Sequence, residues 1–242
     1  MKIFIIPGYG IPESIERDQN YPTYLHVAFN RIYSAAKGEK ALIIPCGGPT
    51  NCTPPYEGTE AAMIGDYIQK LIDRPEMGGR CKEWLIAPED RSLSTLENLV
   101  FAKRISDEAG GAESITIFCE ATRDQRIRSV SSAVFGGSIP VTVEPIDFDV
   151  SANRYLDPAI IEQKENVEIR GSLWALENSD RLAKHHELFE RKFALLRSLQ
   201  DGGMSHVDAV KEWYRQAPII VSELMPEHPA LKERVRCSRP GR

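Results

Sequence analysis

The eleven residues Pro88-Glu89-Asp90-Arg91-Ser92-Leu93-Ser94-Thr95-Leu96-Glu97-Asn98 carry three hydroxyls, three carboxylates and an amide. A helix start needs only a cap, or a cap and its reciprocal partner. Ser94 and Glu97 have the spacing of a capping box, in which the hydroxyl accepts from an early N–H and the acid reaches back to the Ser94 N–H. Glu89, Ser92, Thr95 and Asn98 are surplus to that task. Asn98 falls one turn into the helix, where its weak propensity calls for another reason. Glu89 is therefore a candidate general base or cation ligand, with Ser92, Ser94, Thr95 and Asn98 available to bind and orient a substrate.

Three further polar sets follow short apolar runs. Gly8-Tyr9-Gly10 permits a tight turn and close backbone approach to a ligand, and a plain strand-ending turn accounts for it equally well. A dinucleotide fingerprint would place a third glycine at position 13, which is Glu13, and no lysine stands in a P-loop arrangement. Gly47 and Gly48 could offer backbone N–H groups as an anion nest, with Thr50 and Asn51 as added donors. Cys46, just before them, reads as a buried small residue rather than a nucleophile. Arg123 and Arg126 stand near a helix start and suit a phosphate or carboxylate group. An exposed basic turn paired with nearby acids is the plainer account of them. Glu57, Thr59 and Glu60 open another helix, where acids complement the helix dipole. Glu60 becomes a second catalytic candidate if it shares a cleft with Glu89. His26, His185, His186 and His228 fit core or surface positions.

The elements that must place these groups alternate along the first 149 residues. Strands are predicted at 2–6, 41–45, 83–87, 114–119 and 141–146, and helices at 22–36, 57–72, 95–109 and 124–135. Leu25, Ala28, Phe29, Ile32 and Ala36 show the helical period of three and four. Strand and helix in alternation predict a Rossmann-like three-layer α/β/α fold with a mostly parallel five-stranded sheet. In such sheets ligands bind beyond the carboxyl ends of the strands, and every polar set above lies at one of those ends. From residue 150 to 242 the pattern becomes helical, broken at Asp201-Gly202-Gly203. A last helix is expected from Met204 to Gln216, ending before Pro218, followed by a fraying tail with Pro226, Pro229 and Pro240. This region reads as a helical appendage, packed on the sheet domain or forming a homodimer.

Composition narrows the partners. Apolar residues are 42% of 242, ample for a core, and the net charge of −5 does not attract nucleic acid. Five cysteines without CxxC spacing argue against a disulfide framework or a zinc site. The N-terminal apolar run is too short for a signal peptide or a membrane span, so a cytoplasmic location is expected.

Pro7-Gly8, Cys46-Gly47-Gly48, Glu60-Ala61-Ala62-Met63, and Glu89 with Ser92-Leu93-Ser94-Thr95-Leu96-Glu97-Asn98 together resemble the SanA/YdcF/ElyC-like family of domains of unknown function (DUF218-type). The resemblance covers about residues 1–149, and the "ST-x-EN" element is its most specific piece. It implies a Rossmann-like fold with a cleft at the strand ends. One member is linked to S-adenosylmethionine binding, others to the cell envelope and lipid-carrier metabolism. This chain departs from the pattern in three places: it shows no membrane anchor, it has Cys46 where Ser or Thr is usual, and it lacks the histidine often found after the fourth strand.

Two functions are expected from these readings. One is a hydrolase or transferase acting on a small anionic, nucleotide-like or phosphorylated substrate, with Glu89 and Glu60 as catalytic groups and a divalent cation or S-adenosylmethionine as cofactor. The other is a binding or sensing module that holds an S-adenosylmethionine-like molecule without turnover.

Overall fold

A computed structural model of the chain describes residues 1–8, 10, 14–52, 54, 56–137, 139–147, 158–229 and 231. The chain forms two compact units, Met1–Asn51 with Pro55–Asp149, and Cys52–Pro54 with Val150–Arg242.

In the first unit β1 (Lys2–Pro7), β2 (Ala41–Cys46), β3 (Trp84–Ile86), β4 (Ser114–Glu120) and β5 (Val141–Ile146) make one parallel sheet in the order β3-β2-β1-β4-β5. Between them run α1 (Tyr21–Ala36), α2 (Glu60–Ile72), α3 (Thr95–Glu108) and α4 (Asp124–Phe135). The expected Rossmann-like α/β class is what the chain adopts.

Phe4, Ile6, Ala41, Ile43 and Phe118 cluster with the apolar stripes of α1 and α2. Ile3 and Ile5 alternate to the opposite face, where α3 lies over β1 and β2 and α4 packs against β5. With both faces covered, β2 is buried at every residue, which is why its sequence is an unbroken apolar run. At the sheet edge β3 is shorter than expected, and its Leu85 is exposed.

Most predicted boundaries hold to within a residue or two. The exception is α2, which starts at Glu60 rather than at 57. Thr59 takes extended backbone angles and its Oγ1 accepts from the Ala62 N–H at 3.2 Å, so the cap sits there and Glu57 stays outside the helix.

The second unit contains α5 (Pro158–Ala175), α6 (Ser179–Asp201) and α7 (His206–Leu224), with α6 packed against both others. The break at Gly202-Gly203 is where it was expected. The stop before Pro218 is not: α7 continues through Pro218 to Leu224. A mid-helix proline costs about 3 kcal/mol in lost hydrogen bonding and ring clash. Burial of Val221 and Met225 beyond it favours continuation. The chain after Pro226 is also held rather than frayed as far as His228. That ring meets Trp174 edge-on at 5.3 Å, and a Cβ on Gly171 would lie 2.8 Å from its Nε2. Beyond residue 231 the tail, including Pro240, lies outside the described residues. Among the described residues, no helix is long and apolar enough to cross a membrane.

Candidate functional site

The strand order reverses direction between β1 and β4, because α1 and α2 cover one face of the sheet and α3 and α4 the other. A crevice at the carboxyl ends of β1 and β4 is the expected ligand position for such a topology. Gly8 follows β1 there, Gly47 and Gly48 follow β2, Glu89 follows β3, and Arg123 follows β4.

Past Ile86 the chain stays beside β2. Ala87 N–H donates to Ile43 O at 3.0 Å and Glu89 N–H to Pro45 O at 2.8 Å, and Gly47 N–H returns to Glu89 O at 2.9 Å. Gly48 N–H donates to Ser92 O at 2.7 Å. The N–H groups expected to form an anion nest are thus engaged by the protein's own carbonyls. The reason is that two segments run side by side beyond the regular strands. Gly48 is required by this approach, since a Cβ there would stand 2.5 Å from Ser92 O.

Gly8 and Gly47 make room for a side chain rather than for a ligand. A Cβ on Gly8 would lie 1.8 Å from Glu60 Oε2, and one on Gly47, whose φ is +139°, would lie 2.5 Å from Glu60 Cβ. Thr50 Oγ1 donates to Glu60 Oε1 at 2.6 Å, so this expected ligand donor also serves Glu60. Asn51 beside it is half-buried.

Glu89 is only 3% exposed. Its Oε1 accepts from the N–H groups of Arg91 at 2.9 Å and Ser92 at 3.0 Å. Its Oε2 is buried and has no hydrogen-bond partner among the described residues. Burial pushes this carboxyl above its usual range and Asp90 adds to the rise, while hydrogen bonds from Ser92 and the Arg91 N–H oppose it.

Ser92 Oγ donates to Asn98 Oδ1, which gives Asn98 its reason to stand in the first turns of α3. Ser94 Oγ accepts from the Glu97 N–H at 3.3 Å as the capping box requires. Glu97 Oε2 accepts from the Leu93 N–H at 2.7 Å, one residue before the cap. Thr95 opens the helix and is buried. Ser94 and Thr95 are thereby accounted for by the helix start.

Cys46 is fully buried, and its Sγ donates to Ile44 O at 3.4 Å. Burial, then Glu89, then Glu60 push its thiol well above the ordinary value. The sulfur is therefore no nucleophile; Glu89 pairs with Cys46 across the extension of β2, and Glu60 lies against Gly47, the next residue.

Arg123 Nη1 donates to Gly8 O at 2.9 Å, bridging the ends of β4 and β1 next to Glu60. Arg126 is 3% exposed, which removes the exposed-turn account for it. Gly10 O accepts from Tyr21 Oη at 2.8 Å, and Pro7 O from Tyr24 Oη at 3.0 Å. Sequence reasoning missed these tyrosines because they sit on the apolar face of α1, where an aromatic reads as core. It also missed Glu120, whose carboxylate accepts from the Thr122 N–H at 2.7 Å and from its hydroxyl, shaping the turn that carries Arg123.

Among the described residues, no three His, Cys, Asp or Glu side chains gather closely enough to hold a metal ion by themselves. Compared with family models, curated proteins and solved structures, the chain matches none. The arrangement sets two buried carboxyls in unlike surroundings: Glu60 lies against Gly8, whose carbonyl Arg123 reaches at the topological switch point, and Glu89 lies beside the end of β2.

Proposed function

We propose that the chain binds a small anionic ligand, nucleotide-like or phosphorylated, at the carboxyl ends of its strands, and acts on it as a hydrolase or transferase through Glu89 and Glu60. The observation that carries this reading is the buried Oε2 of Glu89, left without a partner at the edge where an α/β sheet takes its ligands. Arg123 and Arg126 supply the positive charge, and the kinship suggested by the "ST-x-EN" element points to the same cleft. S-adenosylmethionine suits these residues: its carboxylate needs an arginine, and its ribose hydroxyls need an acceptor such as Glu60. Cys46, Cys81 and Cys119 are buried thiols outside any disulfide, which favours a reducing, cytoplasmic compartment. Val207 and Ile219, exposed on α7, favour a homodimer through the helical unit.

A second reading, binding or sensing without turnover, is favoured by the Cys46 thiol, which offers no nucleophile. The test is thermal unfolding with nucleotides, S-adenosylmethionine and phosphosugars, followed by mass spectrometry of each mixture. At least one compound is expected to raise the unfolding temperature of the wild type and to lose that effect in Arg123→Ala. An equal response in wild type and variant would sink the assigned site. Stabilisation without any change of compound selects the second reading.

A further inference from the structure

We propose that Glu89 is a neutral carboxylic acid in the folded protein, with its proton on Oε2, and that this proton is donated to an oxygen of the ligand's anionic group. The first half stands on the geometry of the carboxyl itself. Oε1 takes two backbone N–H donors, the pattern of a carbonyl-type acceptor. Oε2 takes none and is sealed from solvent. An ionised group would place charge on a buried oxygen that nothing donates to, the costliest state for a polar atom. A protonated Oε2 lacks only an acceptor, which a ligand can bring.

The surroundings agree. Asp90 is the adjacent residue in the chain, the Cys46 thiol faces Glu89 from β2, and Glu60 acts on that same thiol from α2. Of these, Asp90 disfavours a second negative charge on Glu89, and the Cys46 thiol, itself neutral, supplies no positive charge to favour one. Only the two N–H groups and Ser92 favour the ionised form, and burial outweighs them. The ligand class follows, on the reading that the strand ends bind an anion. A phosphate or carboxylate oxygen can sit against a neutral acid and accept from it, whereas an ionised Glu89 would repel it and call for an amine or a hydroxyl.

The first arm of the test needs no ligand. Infrared difference spectra of the full chain, wild type minus Glu89→Gln, are expected to show a protonated-carboxyl C=O band at neutral pH. That band is expected to give way to carboxylate bands as the pH is raised. Carboxylate bands already present at neutral pH would overturn the proton assignment. Should Glu89→Gln fail to fold, titration of the band in wild type labelled with carbon-13 glutamate decides the same point.

The second arm uses sulfate, whose charge is constant over the range. Its stabilisation of the wild type is expected to vanish as the band titrates. In Glu89→Gln, whose amide still donates, a pH-independent response is expected to persist. A wild-type response indifferent to pH overturns the donation. No response at any pH, with the band present, overturns the anion contact and the functional reading beneath it, while the proton assignment stands.

Discussion

Gly48 donates its N–H to Ser92 O, and a Cβ on it would stand 2.5 Å from that same oxygen. Two backbone segments meet there, and neither can shift without giving up the hydrogen bonds that continue the sheet edge. Gly48→Ala is therefore expected to destabilise the protein by about 1–3 kcal/mol, as overpacking does. Gly58→Ala, where a Cβ would meet nothing within 4 Å, is expected to stay within about 1 kcal/mol of wild type. Urea unfolding of both variants checks the contrast, and equal stabilities would refute the role given to Gly48. Residue identity alone could not distinguish this function from ligand binding. A glycine announces that space is needed, and the occupant of that space, Glu60 in the case of Gly8 and Gly47, comes from a distant part of the chain. The same limit applies to Glu89. Its place at the end of a strand was legible from the short apolar run before it, but the bare Oε2 depends on how the loop to Ser92 folds back.

At the scale of elements, patterns carried further. Strands buried on both faces must be apolar throughout, and helices with one buried face must repeat every three or four residues, so nearly all elements of the sheet unit were legible. The capping of α3 was legible because it is local to Ser94 and Glu97. The failures came where packing overrode local preference, above all at α7. Pro218 sits inside that helix and removes an N–H donor that alanine would restore. Pro218→Ala is expected to raise the stability of the helical unit by up to about 3 kcal/mol. Denaturant unfolding followed by Trp213 fluorescence measures it, and a midpoint that stays or falls would show that the proline is matched to a bend the helix requires.

Across the whole molecule two buried groups, one in each unit, carry opposite pH dependences. Glu89 in the sheet unit binds its proton more tightly when folded, so its contribution is complete below the ordinary value of 4.5 and is lost as pH rises through its raised value. His228 in the helical unit is the reverse. Burial, with His185 next, lowers it from 6.5 to about 4, so its contribution is complete above 6.5 and is lost as pH falls to about 4. Hydrogen exchange, corrected for its intrinsic pH dependence, is expected to show α7 loosening on acidification over that window while α3 tightens. Both units loosening together would contradict this assignment. The buried thiol of Cys46 has a consequence of another kind. Oxidants and electrophiles attack the thiolate, and here that form is suppressed above all by burial. Peroxide or an alkylating agent can therefore mark this sulfur only after the strand ends have parted, so chemical damage at the end of β2 follows opening of the fold and cannot precede it.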